Sequence, residues 1–195
     1  MTLTRRTLGG ALGLAALGQL VLPREAHATT AVALALEDLL RASYRVALVT
    51  PTRSSAAWET TDGQRRIVTR TSVLLQDVWR AKDEPRSTSE EDGQEMVMRT
   101  LGGRVGEIQQ RVHGEAALRS DEPVLVFAGR LFEGGRRIVG MAQGQYPLVQ
   151  RDGQSRLGRS RDLPELVRRP SIEAAIDLLP RLELSAARRA VEGAR

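Results

Sequence analysis

The sequence predicts a mainly β protein: a small closed or half-closed antiparallel β-barrel with a short N-terminal helix and a C-terminal helical segment. Three observations carry this. Between about residues 44 and 157, several stretches alternate apolar and polar side chains with a period of two. Turn-forming pairs separate them, namely Gly102 with Gly103, Gly134 with Gly135, and Asp152 with Gly153. The longest alternating run, 64–81, switches faces part-way, as a strand does when it bends around a barrel.

A chain of 195 residues supports one domain with tails. Aromatic residues make up only 3%, so the core must come from Val, Leu, Ile, Met and Ala. There is no cysteine, which excludes disulfides, thiolate metal sites and thiol nucleophiles. A pI near 10.7 invites a nucleic-acid reading. Against it, all the basic residues except Lys82 are arginine, the usage a GC-rich genome imposes, and they are scattered among acids. Few aromatic rings are present to stack on bases, so no nucleic-acid partner is expected. An anionic envelope polymer asks only for net positive charge.

The first 28 residues carry an address. Arg5 and Arg6 precede Leu8 and a small-residue apolar run, 8–22; Pro23 follows, and Ala26 and Ala28 flank His27 in the pattern that signal peptidase cuts. The run is shorter than the ~20 residues of a membrane span. A twin-arginine signal cleaved after Ala28 is expected, giving a periplasmic or secreted protein. The Sec route and a retained anchor are the alternatives, and the membrane is a partner only in the second. Cleavage takes the formal charge from +5 to +3 and leaves His113 as the one histidine. The chain thus divides into a signal at 1–28, a barrel domain at 29–160 and a helical tail at 161–195.

Leu36, Leu39 and Leu40 recur at helical spacing opposite Glu37, Asp38 and Arg41, which predicts a helix over 34–42. A first strand over 44–50 is expected to stop at Pro51, before a polar excursion at 52–63 that contains Trp58. The long strand 64–81 carries a bulge near Leu74 and Leu75. Residues 82–94 form an exposed polar loop. In the central ribbon, 95–114, Met96 and Met98 alternate with Val97 and Arg99, Gly102 and Gly103 make a tight hairpin or a bulged corner, and a return segment ends at His113 and Gly114. Strands at 124–132, 136–143 and 146–150 follow, and Asp152 with Gly153 turns into 154–158. Beyond Asp162 the period becomes helical: 171–179, with Ser171 as N-cap, ends at Pro180, before a last frayed turn or two at 184–191.

The segments Gly102-Gly103-Arg104-Val105-Gly106 through Val112-His113-Gly114, and Val139-Gly140-Met141-Ala142-Gln143-Gly144, resemble those of a widespread group of exported bacterial proteins of unknown function. The likeness covers roughly 34–150. It implies a small barrel of the OB or TIMP-like kind, without the disulfides of the latter, and it implies no mechanism.

The residues offer little catalytic machinery. His113 is either a base oriented by Glu115 or Glu107, or a polar strand-end residue. One histidine without cysteine makes a poor zinc site. Glu90, Glu91 and Asp92 are contiguous in a polar loop, with nothing to raise a carboxyl pKa and the wrong spacing for Ca²⁺. Residues 102–106 lack the Lys-Ser/Thr and the following helix of a phosphate loop. No catalytic residue, metal or cofactor is therefore assigned. A barrel offers a concave face instead, and Arg104, Gln109, Gln110, Arg111, His113, Gln143 and Gln145 are the candidates to line it, the alternative being a plain solvent face. Trp58 and Trp79 read as core or lid. The expected function is a non-catalytic binding or accessory module of the cell envelope, with a protein or envelope-polymer partner. The alternative is a hydrolase or enzyme inhibitor acting through residues 102–113.

Overall fold

A computed structural model describes residues 30–61, 63–82, 94–132 and 134–194. The expected signal, with Arg5, Arg6 and Ala28, lies outside the described residues, as does the loop bearing Glu90, Glu91 and Asp92. The chain is mainly β. Its elements run β1 (Ala31–Val32), α1 (Leu36–Ala42), β2 (Arg45–Thr61), β3 (Gln64–Ala81), β4 (Glu95–Leu101), β5 (Gly103–Val105), β6 (Ile108–Gln110), β7 (Val124–Phe132) and β8 (Gly135–Ile138). A 3-10 turn (Met141–Gly144) leads to β9 (Gln145–Arg151), β10 (Gln154–Leu157) and β11 (Leu166–Val167). Then come α2 (Ala175–Leu178), a 3-10 turn (Leu179–Arg181) and α3 (Leu184–Gly193).

Seven strands form one sheet in the order β10-β9-β7-β2-β3-β4-β8, and β8 also pairs with β7. All its ladders are antiparallel except that of β4 with β8, where Met98 lies beside Arg136. Two small pairs stand apart: β5 with β6, and β1 with β11 in parallel.

The β2–β3 hairpin is the frame. It skips a residue between the Leu48–Asp77 and Val49–Leu75 pairs and another between Val46–Arg80 and Ala47–Val78, so β3 is bulged within its C-terminal half. Contrary to expectation, β2 does not stop at Pro51 but runs on to Thr61. The reason lies in the partners. β7 pairs with β2 only as far as Val49, so Pro51 sits where that side of the strand has no ladder and beside a register shift, where the missing N–H costs nothing.

Both faces of the β2–β7 region are covered. Val46, Leu125, Phe127 and Tyr146 point to one side, where Leu39 and Leu40 of α1, Ile176 of α2 and Val191 of α3 complete an apolar cluster. Ala47, Val49, Val126 and Ala128 point to the other, against Val73, Leu75, Met96 and Met98. This double burial is why 124–128 reads as an unbroken apolar run. Trp79 is buried, with its indole N–H on Asp77 Oδ2 at 3.0 Å; Trp58 is half-buried beneath the Arg65 guanidinium.

At the central ribbon the corner alternative holds, and three further elements differ from expectation. Gly102 and Gly103 are a corner at which the chain leaves the main sheet, and the turn of the small ribbon is Gly106 with Glu107. At Gly103, φ is +132° and a Cβ would collide with Thr69 Oγ1, so the corner demands glycine. The strand expected at 136–143 ends at Ile138, because Gly140 turns left-handed into the 3-10 turn. The helix expected from Ser171 is one turn starting at Ala175, since Ser171 itself has φ +64°. The last segment is a ten-residue helix rather than a frayed turn: Ala187 and Val191 are buried and Arg188 reaches Asp77 at 2.8 Å.

One ionic cluster stitches the strands. Arg70 of β3 and Arg99 of β4 lie directly opposite each other on their ladder. Glu59 of β2 accepts from both, with Arg99 Nε at 3.1 Å and Nη2 at 2.9 Å, and Arg70 Nη2 at 2.8 Å. Arg99 is only 8% exposed.

Candidate functional site

A cleft of about 420 Å³ opens beside the small ribbon. One wall is the small ribbon and the chain leaving it, from Gly102 through Ala117; the other is Arg161, Asp162 and Leu163. The walls are tied together. Asp162 accepts from the Ala117 amide at 3.3 Å and from Arg119 at 3.1 and 3.3 Å. Gly114 (φ +77°) packs so closely on the Pro164 ring that a Cβ there would sit 3.1 Å from it. The Gly114 carbonyl accepts the Ala142 N–H at 3.0 Å, fixing the segment from behind through the 3-10 turn.

Four of the seven candidate residues line this cleft: Gln109, Gln110, Arg111 and His113. Gln110 also has a structural duty, since its Oε1 accepts the Ile67 N–H at 2.7 Å. Arg104 turns away: it is exposed at the ribbon tip, bonded to the Gly106 carbonyl and 3.8 Å from Glu107. Gln143 and Gln145 line no face at all, being 4% and 3% exposed. Gln143 straps the N-terminal segment, accepting the Leu34 N–H at 2.9 Å and donating to the Val32 carbonyl at 3.1 Å. Gln145 donates to the Ala117 carbonyl at 2.9 Å and so supports the cleft floor. Both sit where irregular backbone is buried and needs side-chain hydrogen bonds, a demand no local pattern announces.

Sequence reasoning missed the second wall. Arg161 and Asp162 lie in a polar stretch with no periodicity, and only the tertiary fold brings them to the ribbon.

Glu115 faces this cleft and also a smaller one of about 260 Å³ lined by Arg99, Arg137 and Met141. Burial pushes its carboxyl above the ordinary 4.5, against the pull of the Ala116 and Leu101 amides and of Arg137. A raised acid favours the folded state at low pH and withdraws that support as the pH climbs through its folded value. Glu115→Gln lacks this withdrawal. Its stability relative to the parent should therefore improve between pH 4 and pH 7 in denaturant melts, and a pH-independent difference would show an ordinary solvated carboxyl.

The cleft lining contains no hydroxyl, thiol or amine side chain. Among the described residues, no three His, Asp or Glu side chains cluster as metal ligands, and no helix is long and apolar enough to cross a membrane. No protein-family model, curated protein or solved structure matches the chain.

Proposed function

We propose that this protein is an exported, non-catalytic binding or accessory module of the cell envelope, built on an OB-like barrel, with its ligand site in the 102–117 cleft. What carries the reading is that one cleft gathers Gln109, Gln110, Arg111 and His113 on a ribbon held rigidly by Gly103, Gln110 and the Asp162 tie. Hydrogen-bonding side chains converge there, while a nucleophile and its base do not, which suits recognition better than turnover. The barrel itself is supported by the ring of pairings through β2, β3, β4, β8 and β7, five strands as in an OB-like Greek key. Export rests on the Arg5–Arg6 pair and the site after Ala28, and it places the protein in the periplasm or outside the cell, where a protein or envelope polymer is the partner and no cofactor is needed.

The competing reading is a hydrolase or enzyme inhibitor acting through residues 102–113, and its support is that His113 and Glu115 share the cleft. Native mass spectrometry of protein recovered from the envelope fraction, beside its His113→Ala variant, separates the two. A module starts at Thr29 and retains its co-purified ligand in the variant. Turnover of an envelope substrate that vanishes with the imidazole would replace the module with an enzyme.

A further inference from the structure

Most arginines whose contacts are described are neutralised. Arg70 and Arg99 share Glu59; Arg159 and Arg168 share Asp177; Arg119 holds Asp162; Arg169 holds Asp38; and Arg188 holds Asp77 and Glu192. Arg111 and Arg161 differ. Both line the cleft, from opposite walls, and neither makes a hydrogen bond or ion pair among the described residues. The acid nearest in sequence, Asp162, is already occupied by Arg119 and the Ala117 amide. The other acid in the lining, Glu115, takes backbone amides and faces Arg137.

Gln110 adds a donor. A backbone N–H can only donate, so the atom facing Ile67 must be the oxygen. The amide nitrogen, with no acceptor among the described residues, is thereby left to the cleft. Two guanidinium forks, an NH₂ group and the His113 ring then line a site whose two carboxylates, Asp162 and Glu115, already have partners. Such a donor-rich set matches an oxyanion: planar forks bind carboxylate or phosphate bidentately.

We infer that the cleft between residues 102–117 and 161–163 is an oxyanion site, in which Arg111 and Arg161 clamp a carboxylate or phosphate group from opposite walls. The inference rests on the cleft being the binding site, and it names the chemistry bound there. The oxyanion has two possible sources, a small free anion or the acidic units of an envelope polysaccharide. A cleft of this volume accommodates either.

The test is a backbone-amide NMR titration of the full chain with inorganic phosphate, a uronic-acid tetramer and a neutral tetramer of the same linkage, each at 150 mM salt. Arg111→Gln and Arg161→Gln, both at exposed positions, are compared with Arg189→Gln on α3. The expected result is shifts confined to residues 101–117 and 161–163. Each cleft variant should weaken affinity about ten-fold, the loss of one charge-assisted contact, and Arg189→Gln should change nothing. Response to phosphate alone assigns a free anion; a tighter response to the uronate assigns the polymer. Shifts spread over the arginine surface, equal loss in Arg189→Gln, or no response to either anion would overturn the clamp. If the neutral tetramer occupies the cleft regardless of Arg111 and Arg161, the clamp fails and the binding module stands. A ligand mapping to another face removes both.

Discussion

Replacing Glu59 with alanine is expected to destabilise the protein by about 1.5 to 3 kcal/mol, the range for losing hydrogen bonds between charged groups. The geometry puts it at the upper part of what one surface-facing acid can do. Arg70 and Arg99 are directly opposed on adjacent strands, an arrangement that repels on its own. Glu59 turns it into a three-strand joint, and Arg99 is the more buried of the two arginines. Chemical denaturation of Glu59→Ala measures the loss. Pairing it with Arg70→Ala distinguishes the cause, because removing the more exposed arginine from the Glu59→Ala background relieves repulsion and should recover part of the stability. A loss below about 1 kcal/mol, the usual worth of an exposed pair, would mean that the joint is solvated.

The second large effect is expected at Gln143. Gln143→Leu keeps the bulk but removes both hydrogen bonds to the N-terminal segment. An unpaired buried polar group costs about 1 to 3 kcal/mol, and stranding the Leu34 N–H should cost an amount in that range, since the Val32 carbonyl belongs to an exposed residue that water can reach. Hydrogen exchange at the Leu34 amide, compared with amides in β7, localises the loss. Protection should fall first at Leu34. If Gln143→Leu is as stable as the parent, the strap is not structural and the solvent-face reading of this glutamine returns.

Both residues show where the sequence was readable and where it was not. Alternation located β3, and an unbroken apolar run located β7, to the residue, because both strands have partners on both edges. β2 was cut short at Pro51, since proline is forbidden only where a neighbour needs its N–H, and the end of the β7 ladder at Val49 is a fact about another part of the chain. The cleft was half legible. Gly102 and Gly103 marked the corner, and Gln109, Gln110, Arg111 and His113 followed from it. Arg161 and Asp162 were invisible because nothing local distinguishes a cleft wall from a solvated loop. Gln143 and Gln145 were misplaced for the converse reason: an amide side chain in a β-rich segment looks solvent-facing until the buried backbone it serves is known.

The parallel pairing of β1 with β11 joins Ala31 to Leu166 and Val32 to Val167, and Ala35 bridges to Ala174 nearby. During synthesis, residues 31–32 therefore have no mate until residues 166–167 have left the ribosome. The β2–β3 hairpin can assemble while translation continues, but this clasp waits for a strand made more than a hundred residues later.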